Sequence, residues 1–293
     1  MFYTKPKFVH LKDSKYIEDV MYRMIYMNGS DFASASGSCV CVGFPYFITA
    51  KHVVMDYINQ TSKSDIKTDK VTLDRGVSAF TQTISSYQIV LAKATESGTF
   101  ISLLVDELYL PINKADLALM KVRVGNIEGD NSIPRTVLDL RVPALGGIVC
   151  SAGFANSETH VELSNGGINI SVNDDFVKTT GEIVEVFTEK RDSIRLNFPC
   201  FQSNLKLVPS MSGGPVFNDL GFLCGLNCGS FDFAEEEIDN GDISYIASLI
   251  SLIYIVNSNG KSLFLQLVRN NDIIVADKAN FLAYIENNCP NLI

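Results

Sequence analysis

A serine followed by two glycines and a proline, in "VPSMSGGPVF" at residues 208–217, is either part of a turn or a nucleophile held on one. A serine hydroxyl attacks poorly until a histidine takes its proton, and that histidine needs a carboxylate to hold its tautomer and stabilise the imidazolium. The sequence contains three histidines. His10 lies in the charged N-terminal segment and His160 in the polar "ANSETHVE", where a solvated surface ring is the ordinary expectation. His52 closes the strand-like "FPYFITAKH", so its ring projects from the edge of a β-core, where catalytic geometry can be held. Standing alone, it would read as a satisfied core histidine. Asp116 opens the apolar run "ADLALMKV". A carboxylate entering a core unpaired is costly, so Asp116 either caps a turn at the strand mouth or pairs with another group.

These residues must be positioned by a β-rich body. Between residues 33 and 256 the chain reads as short strand-like runs separated by turn signals. They include "SCVCVGFPYFITA", "KVTLD", "YQIVLAKA", "LALMKVRV", "GIVCSAGF", "GGINISV", "EIVEVFT", "SIRLNF", "GFLCGLNCG" and "YIASLI". Such spacing, with no helical pattern between runs, predicts an all-β barrel or sandwich rather than a parallel α/β sheet. The ends differ: "YIEDVMYRMIYM" places Ile17, Val20, Met21, Met24 and Ile25 at helical spacing, and "KANFLAYIENN" is also helix-like. The polar stretch Asn59–Lys70 predicts an exposed loop.

Composition narrows the function. The 293 residues are 46% hydrophobic, enough for a substantial core. A net charge of -9 without a basic cluster argues against nucleic acid as a partner. The seven cysteines are an odd number without the dense spacing of a disulfide scaffold, and are read as reduced thiols. Cys224 and Cys228 are half a zinc site at most, with no second pair nearby, so neither a metal nor another cofactor is expected. The N-terminus shows no secretory h-region, and the longest apolar stretch, Tyr245–Val256, falls short of the roughly 20 residues a bilayer span needs. The expectation is a soluble, cytoplasmic protein with no membrane partner.

"TAKH", "ADLALM" and "SMSGGPVFN", in that order, resemble the His, Asp and Ser blocks of the chymotrypsin-like (trypsin-like) serine proteases. The likeness is greatest to the disulfide-free, HtrA-like (Deg) bacterial branch, and covers roughly residues 30–256. "QSNLKLVPSMSGGP", with Gln202 and Pro209, resembles the approach to the nucleophile in that branch. "SASGSCVCVGFPYFITAKH" resembles the strand and hairpin leading into the histidine. The resemblance implies two six-stranded antiparallel barrels with the site in the cleft between them. Residues 1–30 would be an N-terminal extension, 31–130 the first barrel with His52 and Asp116, 131–256 the second with Ser212, and 257–293 a C-terminal extension. Residues 127–142 would link the barrels, and the C-terminal segment is too short for a PDZ domain.

The resemblance also implies roles. His52 is the general base, Asp116 orients it, and Ser212 attacks a peptide carbonyl to form an acyl-enzyme. The amides of Ser210 and Ser212 form the oxyanion hole. Lys206, Cys228, Gly229, Ser230 and the stretch Ile243–Tyr245 neighbour the primary pocket, with Cys228 to Ser230 pairing with the substrate backbone. The loop after them, with Asp232, Glu235, Glu236, Glu237, Asp239 and Asp242, reads as solvated, or as an acidic rim favouring basic substrates, a preference Lys206 would oppose if it reached the pocket base.

Two positions depart from the family pattern. Ser210 stands where the family has glycine, which predicts a strained hole, formed only with substrate or an activator bound. Met211 stands where trypsin-type enzymes carry an acid that pairs with a cleaved N-terminus, so activation by that ion pair is not expected. The function expected is an intracellular, regulated serine endopeptidase acting on proteins or peptides, with a dedicated regulatory or substrate protein docking on the terminal extensions. The alternative is a latent or inactive protease-fold binding module. An esterase is disfavoured because "SMSGGP" is not a G-x-S-x-G elbow.

Overall fold

Two sets of antiparallel strands build the body of the chain. The computed structural model describes residues 14–28, 32–55, 79–81, 87–94, 100–124, 134–164, 167–230 and 243–293. The first sheet comprises β1 (Met21–Asn28), β2 (Phe32–Gly43), β3 (Tyr46–Thr49), β4 (Ala79–Thr81), β5 (Tyr87–Ala94), β6 (Phe100–Tyr109) and β7 (Ala118–Val122). In the order β4-β6-β5-β1-β2-β3-β7, a further β6–β7 pairing closes six strands into a barrel and leaves β4 outside, on β6. The second sheet comprises β8 (Val137–Leu138), β9 (Ile148–Ser164), β10 (Gly167–Phe187), β11 (Cys200–Ser203), β12 (Pro215–Asn218), β13 (Leu223–Ser230), β14 (Ser244–Ser248) and β15 (Ile274–Val275). Its order is β12-β9-β10-β11-β14-β13-β8-β15, and a β12–β13 pairing closes the other six-stranded ring, with β8 added in parallel on β13 and β15 in parallel on β8. The two antiparallel barrels are those the sequence predicts.

The faces of β2 show how the core is divided. Cys39 and Cys41 point into the first barrel with Tyr22, Met24 and Phe47, while Val40 and Val42 point into a core shared between the barrels. Helix α3 (Leu263–Asn270) contributes Phe264, Leu265 and Val268 to that shared core, and Ser262 caps it by accepting from the Leu265 amide at 3.1 Å. All seven cysteines are free.

Three expectations change. The helical pattern of Tyr16–Met27 yields only α1 (Ser14–Val20) before the chain enters β1, so the first barrel starts at Met21 rather than residue 31. Met21, Tyr22, Met24, Ile25 and Tyr26 are all buried because one face of β1 lines the first barrel while Met21 packs into the shared core and Ile25 packs with Val172 of the β9–β10 hairpin, and an apolar run of this kind does not distinguish strand from helix by period. "SIRLNF" forms no strand. Its Ile194, Arg195 and Leu196 amides turn onto Asp192 Oδ1 at 2.8, 2.7 and 3.2 Å, which holds that carboxyl below its ordinary pKa. "GINISV" and "EIVEVF" belong to one strand, β10, paired with β9 in a long hairpin. His10, "KVTLD", the loop 59–70 and the acidic loop 231–242 lie outside the described residues.

The β9–β10 hairpin straps the barrels together. Val172 packs, as do Met27 and Val90, against Ile25 and Ala92 of the first barrel. Arg23 Nε and Nη2 bind the two oxygens of Asp174, and its guanidinium lies 4.2 Å from the Phe154 ring centroid. Asp174 is 2% exposed, so Asp174→Ala leaves a buried guanidinium unpaired and is expected to cost about 3 kcal/mol in urea unfolding. The double change Arg23→Met, Asp174→Leu should recover most of that loss; a double variant as unstable as the single would show that the packing, not the charge pair, carries the strap.

Candidate active site

His52 lies in a helical turn, α2 (residues 51–55), immediately beyond β3. Because Thr49 pairs with Ala118 across the antiparallel β3–β7 ladder, residues after β3 lie opposite those before β7. The ladder therefore delivers His52 to Asp116. Asp116 Oδ1 accepts from the His52 backbone N–H at 2.8 Å, and Oδ2 lies 2.7 Å from His52 Nδ1. Of the two readings the sequence left open for Asp116, the paired one holds. The Asp116 side chain is 15% exposed and His52 42%, so the carboxylate is sheltered while the ring stays accessible. A proton on Nδ1 shared with Asp116 makes Nε2 the basic nitrogen. The Cys228 thiol lies beside the same carboxylate. Burial, then the negative charge of Asp116, pushes its pKa well up, so it stays a thiol and can donate to Asp116.

Ser212 is carried by the second barrel and locked against the first. Its carbonyl accepts from the Ser38 amide at 2.9 Å. That contact needs Gly37, at φ +79°: a Cβ there would lie 3.0 Å from Ser212 O and 2.9 Å from Val53 Cγ1, the residue after His52. Gly213, at φ +77°, presses on Thr49, Ser38 and Ala50. The Ser212 loop is thus docked on the first barrel, against residues that flank His52 in the chain.

The turn before the serine carries the departure noted in the sequence. Met211 N donates to Val208 O at 3.2 Å, closing a turn over Pro209 and Ser210. Ser210 sits at φ +73°, the left-handed conformation that a type II turn reserves for glycine. The predicted strain is present. The Ser210 and Ser212 amides donate to no acceptor among the described residues, so two donors are left for a ligand.

The pocket residues divide. Gly229 and Ser230 pair with Tyr245 and Ser244 of β14 on one side. No strand among the described residues covers the other edge of Cys228 to Ser230, an edge to which an extended peptide can add. Lys206 is exposed, which removes the expected objection of a buried lysine opposing a basic substrate side chain. Sequence reading missed Ser38, Thr49, Ser151 and Asn227, all fully buried polar residues around the nucleophile turn. The one available signal was Asn227, a lone amide in the apolar "GFLCGLNC", which a core tolerates only with partners.

Residues 37–226 match the family described as trypsin-like peptidase domain. No curated protein sequence matches the chain. Similar solved structures include an HtrA-type protease AlgW with decapeptide, 15% identical with a TM-score of 0.49, the alignment covering 87% of this chain and 66% of that one. The Rv3671c protease from M. tuberculosis in its active form is 13% identical with a TM-score of 0.48, covering 83% of each chain. The chain spans just under two thirds of the AlgW chain.

Proposed function

Because the chain belongs to the trypsin-like peptidase family and is a serine endopeptidase by that membership, we propose that it cleaves protein substrates through a His52–Asp116–Ser212 triad and an acyl-enzyme. The observation that carries this reading is the double hold of Asp116 on His52, through the backbone N–H and Nδ1. His52 Nε2 takes the Ser212 hydroxyl proton as Oγ bonds to the scissile carbonyl carbon. The oxyanion develops against the Ser210 and Ser212 amides. The imidazolium, stabilised by Asp116, returns the proton to the leaving amine. Water then enters by the same route and releases the acyl group. Substrate adds as a strand on Cys228 to Ser230. The seven free thiols support an intracellular enzyme, and the likeness to the HtrA-like branch supports a regulated one, with a partner protein docking on a terminal segment.

The test is a fluorophosphonate probe with peptide mapping of the adduct. Labelling confined to Ser212 and lost in Ser212→Ala and His52→Ala is the expected result; an unlabelled wild type, or an adduct elsewhere, overturns it.

One observation favours the latent reading as an alternative: Ser210 holds its left-handed φ against its own side chain. Ser210→Gly removes that strain. It is expected to raise stability by about 1 kcal/mol and to speed labelling by several-fold. Slower labelling would instead give the serine hydroxyl a role of its own.

A further inference from the structure

Beneath the nucleophile turn, two buried polar side chains form a chain of hydrogen bonds with no part in the triad. Ser151 Oγ donates to Asn227 Oδ1 at 2.9 Å, and Asn227 Nδ2 donates to the Met211 carbonyl at 3.1 Å. Both residues are fully buried. The serine fixes the amide's orientation: with Oδ1 committed to Ser151, Nδ2 must face Met211. The Gly214 amide donates to the same carbonyl at 3.0 Å, so both its lone pairs are engaged. The main chain of Asn227 grips the same loop, its carbonyl accepting from Gly213 N and its amide donating to Gly214 O, each at 2.9 Å.

The consequence lies on the opposite side of one peptide. Met211 C=O and Ser212 N–H belong to a single trans plane and point in opposite directions. Holding the carbonyl down into the second barrel therefore aims the Ser212 amide up, toward the site of the developing oxyanion. Met211 has no carboxylate with which to anchor the turn by an ion pair. Its side chain is instead buried beneath the turn, against Gly153, where a Cβ would lie 2.7 Å from Met211 Cγ. Gly214 is likewise confined, since a Cβ there would lie 3.0 Å from Asn227 Nδ2.

We infer that Asn227, oriented by Ser151, is a positioning residue that holds the Ser212 amide in the oxyanion site through the Met211 carbonyl, in place of a charged anchor. This inference rests on Ser212 being the nucleophile. It assigns Asn227 an effect on the tetrahedral state and none on ground-state binding.

Asn227→Asp keeps the shape but places an acceptor against the Met211 carbonyl. Fluorophosphonate labelling of this variant is expected to show a maximal inactivation rate lowered about 30-fold, somewhat less than deletion of an oxyanion donor, with the probe's half-saturating concentration within twofold of wild type. Protonation of the new carboxyl restores a donor to the carbonyl. The rate relative to wild type should therefore recover as pH falls through the raised pKa of a buried acid, a signature that a packing defect does not give. Ser151→Ala, which only frees the amide to turn, is expected to lose about threefold, and the double variant to match Asn227→Asp. Thermal unfolding identifies a variant that fails to fold; should Asn227→Asp do so, Ser151→Ala carries the test alone. Folded variants labelled at the wild-type rate, or a rate and half-saturation that worsen together without pH recovery, overturn the inference. Absence of labelling in the wild type would instead overturn the triad reading on which it stands.

Discussion

Ser212→Ala and His52→Ala are each expected to lower kcat by about 10⁶-fold, and the double variant by no more, because the two side chains perform one proton transfer and one attack between them. Without His52 the hydroxyl keeps its proton at neutral pH; without Ser212 the base has nothing to activate. Asp116→Asn should cost about 10⁴-fold and for a different reason. Asp116 accepts two N–H groups of His52, from the main chain and from Nδ1. An asparagine has one carbonyl oxygen for two donors. If that oxygen keeps the main-chain N–H, its NH₂ faces Nδ1 and drives the ring proton to Nε2, where it blocks acceptance of the serine proton. Hydrolysis of fluorescently labelled casein at matched total protein concentration measures all four variants against the wild type. Additive losses in the double variant would mean that the residues act separately, and an Asp116→Asn enzyme near wild-type activity would show that His52 is held by other contacts.

The three residues of the proposed triad stand out in the sequence because such chemistry restricts residue type and such a fold restricts order. Few side chains accept a proton near pH 7, and of three histidines only His52 ends a strand-like run. Local pairing was legible where a strand has a clear boundary: "YQIVLAKA" is β5 from end to end. It was not legible in β1, whose burial on both faces erases the period-two signature, nor in β10, where the extension beyond the barrel is decided by contact with the other barrel through Val172 and Asp174. Such pairings join residues far apart in sequence, and nothing in either segment announces its partner. The same holds for Asn227 and Ser151. The lone amide of Asn227 announces that it needs a partner but not which one, until the β9–β12–β13 arrangement brings it to 2.9 Å from Ser151. Ser210 shows the reverse case, in which a single departure from glycine correctly foretold a left-handed residue.

Gly213→Ala is expected to be the most damaging substitution outside the triad, destabilising the protein by about 4 kcal/mol or more and abolishing labelling of whatever remains folded. A methyl at this position would lie 2.2 Å from Thr49 Oγ1, 2.3 Å from Ser38 O and 3.0 Å from Ala50 N. Thr49 and Ser38 cannot both retreat easily, since Thr49 Oγ1 donates to Ser38 O at 2.7 Å and both belong to paired strands of the first barrel. Relief can come only by lifting the nucleophile loop off that barrel, which breaks the Ser38 N–H to Ser212 O bond and withdraws Ser212 from His52. Gly146→Ala supplies the control. Gly146 has a similar φ of +72° but no atom within 4 Å of the added carbon, so it isolates the backbone strain of a left-handed alanine, about 1 kcal/mol. The difference between the two variants in urea unfolding, about 3 kcal/mol, measures how firmly the serine loop is docked on the histidine barrel. Equal losses would mean that the loop is not pressed on that barrel, and that the cleft holding Ser212 to His52 is looser than the contacts around Gly213 require.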